Sequence, residues 1–312
     1  RFEIMSEIRD ERFTFVALDD FASERLNSPK YSYWKSVFRK FFSSKIAIFF
    51  LVLTLLTLFL SYILPFISGY DPTVQTHIND FSRRFVAPNL QFWFGTNQVG
   101  DSLFDVVWAG ARTSLSLAII ATFITNVIGV IVGAFWGYSR KMDVIMIEVY
   151  NIIANVPFTL VVIILSYVLG PGFWQLVFCL CITSWLGMAY SIRIQVMMIR
   201  DREYNLASRC LGTPTAKIIQ HNVLPFMIPI IVTSISRDVP SFISYEVFLS
   251  YLGIGLTATD VSLGRLISAN SSDMVSTPYL FWIPVAVAAV ISISLYIVGQ
   301  TLADASDPKT HM

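Results

Sequence analysis

Long uncharged runs alternate with short polar segments along the chain, and they set the first expectations. Residues 46–64 form a 19-residue run without a charge, closed by Pro65. Residues 113–139 form a 27-residue run between Arg112 and Arg140. A third run starts near Val144, carries Glu148 early and continues to Leu169, where Gly170-Pro171-Gly172 breaks it with the chemistry of a turn. Residues 173–192 form a fourth, ended by Arg193. A fifth starts near His221, is interrupted by Arg237-Asp238, and resumes from Phe242 to Leu249 with Glu246 inside; the sixth covers 274–303. About 20 apolar residues cross the roughly 30 Å of bilayer hydrocarbon. The pattern therefore predicts an all-α polytopic membrane protein with six transmembrane helices.

Composition strengthens that reading. Of the 312 residues, 55% are apolar and only 14% charged, against about 25% charged in ordinary soluble domains. A soluble chain so poor in charge could not cover its own surface, and a disordered one would need the opposite balance. A net charge of +1 leaves no field for nucleic acid. The cysteines (Cys179, Cys181, Cys210) and the scattered His77, His221 and His311 form neither a disulfide framework nor a metal-binding spacing.

Lys and Arg in the flanks predict orientation. Seventeen lie in residues 1–45, at Arg140 and Lys141, in the 193–222 loop and at Lys309; four lie on the other side, at Arg83, Arg84, Arg112 and Arg265. Both termini are thus expected in the cytoplasm. The predicted organisation is a cytoplasmic arm (1–45), an uncleaved anchor (46–64), an extracellular loop (65–112), a five-helix core (113–303) and a cytoplasmic tail (304–312). The arm is too long and too charged for a secretory signal peptide.

The 193–222 loop holds many stop and start signals. Asp201 is placed to cap a short helix over 202–211, with Glu203 in its first turn and Arg209 near its end, each suited to the helix dipole. Gly212 follows where a left-handed residue ends a helix, and Thr213-Pro214 reads as the cap and first position of another. Ala207 and Ser208 give the first helix a small-residue face, suited to close approach by a partner.

These residues carry a resemblance. Glu203-Tyr204, Ala207-Ser208-Arg209, Gly212, Ile218-Ile219, His221 and Leu224-Pro225 resemble the "EAA" loop of ABC importer permeases, in its peptide-importer form. Phe94-Gly95-Thr96 to Leu115, Phe248 to Gly255 and Asp304 to Lys309 resemble three further motifs of that family in the same order. Tyr31 to Trp34 and Ser102 to Asp105 are most similar to the Ami-type oligopeptide permeases of Gram-positive bacteria. The resemblance implies a type I ABC importer permease fold in a bacterial plasma membrane. It also implies a second permease subunit, two cytoplasmic ATPase subunits, an extracellular peptide-binding lipoprotein and an oligopeptide cargo. Glu203, Tyr204, Ala207, Ser208, Arg209, Gly212 and Pro214 would then couple the spans to an ATPase. ATP and Mg²⁺ would bind on the partners, since the chain has no phosphate-binding G-x-x-x-x-G-K-[ST] motif, and it would itself be no enzyme.

Several positions depart from the family pattern. Leu206 stands where the acidic residue precedes the two alanines, Asn97, Asp101 and Ser102 replace a more charged set, and Phe226 follows Leu-Pro in place of Asn. Arg237, Asp238 and Glu246 fall at membrane depth, where a charge costs about 2.5–3.5 kcal/mol on insertion scales and so faces a cavity or a partner. They are expected either to line the translocation path or to pair structurally. Gly129 and Gly133, spaced G-x-x-x-G, permit close helix packing, including against a sister subunit. The rival is an ion-coupled secondary transporter working without an ATPase, which would leave the capped loop without a purpose.

Overall fold

The computed structural model describes residues 33–306 apart from 73, 75, 76, 78 and 258. Residues 1–32 of the arm and the tail beyond 306 lie outside the described residues. Among the described residues the chain is helical, and the only pairing of extended backbone is an isolated bridge between Thr96 and Ser102.

An amphipathic helix, α1 (Tyr33–Ser43), precedes the first span and buries Val37 and Phe41. The span itself, α2 (Lys45–Tyr62), starts at Ser44, whose Oγ accepts the Ala47 N–H at 3.3 Å. The run does not close at Pro65. The chain is offset at Ile63 and continues as α3 (Leu64–Ser68), with Pro65 in the first turn, where its missing N–H is not needed. Gly69, at φ 66°, ends it.

The second span, α4 (Leu103–Tyr138), begins ten residues before the uncharged run, because Asp105 suits the first turn of a helix and Arg112 is accommodated within one. Its 36 residues reach about 54 Å, so its ends project beyond the hydrocarbon. The third run is not one straight helix. α5 (Arg140–Ala154) and α6 (Phe158–Leu169) meet at 79°. Pro157 cannot donate to a continuing helix and pushes Val156 out of helical backbone.

The fourth span, α7 (Phe173–Ile199), runs past its expected end at Arg193. Asp143 on α5 receives that guanidinium on both oxygens, Nη2 to Oδ2 at 3.1 Å, and also accepts the Trp136 indole N–H at 2.8 Å. A paired Arg no longer terminates a buried helix.

Then come two short helices, α8 (Glu203–Cys210) and α9 (Thr215–Ile218). A π turn at Ile219–Val223 and a 3₁₀ turn at Leu224–Met227 lead into α10 (Ile228–Tyr251). Arg237-Asp238 do not interrupt this helix, contrary to the sequence expectation, and Pro240 sits inside it. A short α11 (Leu263–Ala269) and the last span, α12 (Pro278–Ser306), complete the chain. Among the described residues, five helical segments are long and apolar enough to cross a membrane, and six if the bent α5–α6 pair counts as one span.

α4 runs through the centre of the bundle, against α7 on one side and α10 on the other. Gly129, Gly133 and Gly137 let α7 approach. A methyl at Gly129 would lie 2.5 Å from Met188 Cβ, and one at Gly137 would lie 2.6 Å from the Arg193 carbonyl. The small-residue stripe thus packs within this chain, not against a sister subunit. Around it, Leu115, Ala118, Leu180, Ile243, Leu249 and Ile291 form the main buried cluster. Large apolar side chains such as Phe49, Phe123, Tyr167 and Trp174 stay exposed on the outside of the bundle, as a lipid-facing surface requires.

Candidate functional site

The elbow at the basic end of the bundle is built from backbone turns upward. α8 ends in a Schellman arrangement: Thr213 N–H donates to Ser208 O at 3.0 Å and Gly212 N–H to Arg209 O at 2.9 Å. Gly212 holds φ +77°, the left-handed conformation that this ending needs. Pro214 then occupies the N-cap of α9. Two expected caps are absent, because Arg202 is the N-cap of α8 with no side-chain bond and Thr213 does not cap α9.

Asp201 acts elsewhere. Its carboxylate lies 3.2 Å from Arg200 Nε, 3.7 Å from Arg209 Nη1 and 3.8 Å from Arg140 Nη2. Three cations from α5, the end of α7 and α8 so converge on one acid, in place of a local cap. Arg209 extends the cluster: its Nε donates to the Tyr138 hydroxyl at 2.8 Å and its Nη2 to Arg200 O at 3.0 Å, and the guanidinium lies over the Tyr138 ring at 4.7 Å. Arg200 Nη1 donates to Gly137 O at 2.8 Å. The elbow is thereby tied to the end of α4, the helix that runs through the bundle. Arg209, expected to face a partner, is committed within the chain.

What α8 leaves outward is mostly uncharged. Tyr204, Leu206, Ala207 and Cys210 are exposed together with Glu203, and Leu211 beyond them is 86% exposed. Ser208 donates to Tyr204 O at 2.9 Å and accepts from Asn222 at 3.2 Å, fastening α8 to the turn before α10. Asn205 is wholly buried and donates to Ile199 O at 3.0 Å. An apolar ridge on a braced short helix can enter a groove of another protein and transmit force to α4.

This chain matches the family described as "Binding-protein-dependent transport system inner membrane component" over residues 126–312, and "N-terminal TM domain of oligopeptide transport permease C" over residues 32–88. It is 51% identical over 307 residues to the oligopeptide transport system permease protein AmiD of Streptococcus pneumoniae, which covers 98% of this chain and 100% of that one. The chain belongs to the binding-protein-dependent transport permease family. Identity to the dipeptide transport system permease protein DppC of Bacillus subtilis is 32%, over 97% of this chain and 94% of that protein. A solved structure of the MetNI methionine ABC transporter, described as inward facing, superposes with a TM-score of 0.50 at 16% identity, covering 65% of this chain and 96% of that chain. That likeness concerns the fold, which is the type I importer permease fold. The protein is a multi-pass permease subunit of an ATP-driven importer.

The permease's three charges at membrane depth separate into different settings. Glu246 is wholly buried and accepts hydroxyls from Ser262 at 2.6 Å, Ser114 at 2.8 Å and Ser250 at 2.9 Å. Ser114 also accepts the Leu263 N–H at 3.2 Å. This carboxylate pins the start of α11 to α4 and α10 and faces no opening, so its setting is a structural hub and not a path wall. Arg237 is exposed on α10. Asp238 accepts from Asn126 Nδ2 at 2.7 Å and lines a cavity of about 510 Å³ between α4, the α5–α6 bend, α7 and α10.

The motif residues of the 65–112 loop are structural. Thr96 Oγ1 donates to Arg83 O at 2.5 Å and accepts the Val86 N–H at 2.9 Å, while its carbonyl accepts the Tyr279 hydroxyl at 3.2 Å. Gly95, at φ +81°, passes so close to this staple that a Cβ would lie 2.6 Å from Val86 O. Asn97 Oδ1 accepts the N–H groups of Asp101 and Val99 at 2.9 and 3.0 Å. Burial pushes the Asp101 carboxyl above the usual range, against the opposing pull of His77, Asn97 and Arg83. Sequence reasoning missed the Asp143–Arg193 pair and the Asp201 cluster, whose partners are distant in the chain. The only signal for them was an excess of Arg at span ends.

Proposed function

We propose that the chain is one of two different permease subunits of an oligopeptide importer in the plasma membrane of a Gram-positive bacterium. Its termini and elbow face the cytoplasm, and the 65–112 loop and the 250–277 segment face outward, where a peptide-binding lipoprotein docks. Each of two ATPase subunits binds and hydrolyses ATP with Mg²⁺, and one of them receives α8 in a surface groove. Closure of the ATPases moves α8, and the Arg209–Tyr138 and Arg200–Gly137 bonds pass the stroke to α4. This chain supplies half of the pathway and no nucleotide chemistry.

The observation that carries this reading is the braced elbow, with an outward apolar ridge and with Arg200 and Arg209 turned back onto α4. The name of the Streptococcus relative supports the peptide cargo, and the basic flanks support the orientation. The chain itself offers the test. Cys210 is exposed in the last turn of α8, whereas Cys179 and Cys181 are buried. A photoactivatable reagent attached at Cys210 in native membranes is expected to capture a nucleotide-binding polypeptide, and Cys210→Ser to abolish the capture. Peptide uptake that persists after the ATPases are removed would instead favour an ion-coupled transporter.

A further inference from the structure

The cavity beside Asp238 has a chemical polarity that the fold does not require. It lies at mid-depth, lined by Thr125 near the middle of α4, Thr183 and Ser184 near the middle of α7, and Ser241 and Tyr245 on α10. Its volume of about 510 Å³ falls in the range of small-ligand sites. A serine or threonine hydroxyl has one proton to give. Thr125 donates to Ala121 O at 2.8 Å and also stands 3.1 Å from Thr122 O, Ser184 donates to Leu180 O at 2.5 Å, and Ser241 donates to Arg237 O at 2.7 Å. The protons of these three are spent on their own helices, so what they hold for an occupant is acceptor capacity, while Thr183 Oγ1, with no partner among the described residues, can also accept.

Asp238 adds a carboxylate to that wall. Its Oδ2 accepts from Asn126 Nδ2, which also donates to Thr122 O at 3.0 Å, and its Oδ1 accepts no bond from a described residue. Among the described residues no Lys, Arg or His nitrogen lies within 4.0 Å of it; Arg237, its neighbour, forms no ion pair and is exposed. Holding a carboxylate at this depth with no cation in contact is costly. Glu246 has its charge met by three hydroxyl donors of the fold, whereas Asp238 receives one amide and leaves the rest to an occupant.

We propose that Asp238 and the acceptor oxygens around it form a transient site for a primary ammonium group of the cargo. An ammonium has three donors and no acceptor, which complements the few hydroxyl oxygens and the one carboxylate set into this otherwise largely apolar lining. Two parts of a peptide carry this chemistry, its amino terminus and a lysine side chain. The inference rests on the reading of the chain as a peptide permease and adds a recognition element within the membrane, separate from selection by the binding subunit.

The test uses the complete importer, with its ATPases and binding protein, reconstituted in proteoliposomes. Uptake is measured for three peptides of one length: unblocked without Lys, N-acetylated without Lys, and N-acetylated with one Lys. Each rate is expressed as Asp238→Asn over wild type, so any preference of the binding protein cancels. The expected result is a loss of about tenfold, equivalent to ~1.4 kcal/mol, for the unblocked peptide, with no change for the blocked, Lys-free peptide. The blocked peptide with Lys distinguishes the two ammonium sources: a loss means that the site also takes a side chain, and no loss restricts it to the terminus. Equal losses for all three, or none for any, would overturn the proposal.

Should wild type carry no blocked peptide, charge restoration decides. In Cys210→Ser, Asp238→Cys is treated with an anionic or a cationic methanethiosulfonate, and only the anionic reagent should restore uptake. Rescue by both reagents, or by neither, would overturn the site. Absence of uptake of any peptide by wild type would instead refute the peptide-permease reading itself.

Discussion

Replacing Gly133 by Ala tests the close packing of α4 against α7 in the permease. The added Cβ would lie 2.9 Å from Ala189 Cα and 2.9 Å from Ile192 Cβ, and closer still to the Ala189 carbonyl oxygen. Carbon atoms pack best at about 3.5–4.0 Å, so α7 must retreat by roughly 0.6–1.1 Å. Two of the three obstructing atoms are backbone, so no rotamer change relieves the clash. A retreat of that size also opens the contacts at Gly129 and Gly137, where a gap of about 0.5–1 Å forfeits a quarter to a half of each dispersion well. Overpacking of this kind costs about 1–3 kcal/mol. Gly187→Ala supplies the control, because a Cβ there meets nothing within 4 Å while the gain in helix propensity is the same. Stability can be read by titrating the purified importer with SDS and labelling Cys179 and Cys181, which are buried in α7, in a Cys210→Ser background. Gly133→Ala should fall below Gly187→Ala by about 1–3 kcal/mol. Equal midpoints for the two variants would refute the packing argument.

Glu246→Ala should cost about 1–3 kcal/mol, because it strips a buried hydroxyl cluster of its acceptor; the measure is the yield of monodisperse importer in detergent, and normal yield would count against the hub. Glu246→Gln keeps the shape and part of the bonding and should fall between Ala and wild type in the same assay. Gly212→Val places a β-branched residue at φ +77° and should cost about 1–2 kcal/mol at the α8 ending; uptake per ATP hydrolysed should drop while ATPase assembly is retained. Tyr138→Phe removes one bond to a partly exposed Arg209, a change of about 0.5–1 kcal/mol in stability. It should nevertheless reduce uptake per ATP, and an unchanged ratio would show that the stroke bypasses α4.

How far the sequence could be read depended on the distance between partners in the chain. The Schellman ending at Gly212 is a local affair, with bonds reaching back three and five residues, and it was visible in the order of residues. The same local logic assigns Asp201 to a cap, but Arg140, 61 positions away, and Arg209 pair with it instead. Arg193 looked like the end of a span because an unpaired Arg would be one; Asp143, on a different helix, changes its cost. Gly129 and Gly133 announced a close approach without naming the partner, which proved to be α7 of the same chain.

Glu246 and Asp238 show the limit most sharply. Both are single acids in apolar runs, and both cost the same to insert, so sequence pattern treats them alike. Three hydroxyls, from Ser250 nearby and from Ser114 and Ser262 on other elements, turn Glu246 into a closed hub. Asp238 receives one amide and keeps an oxygen toward a cavity. Membrane depth identifies the residues that need a partner; the count of donors already supplied by the fold separates those that hold the protein together from those left to meet the cargo.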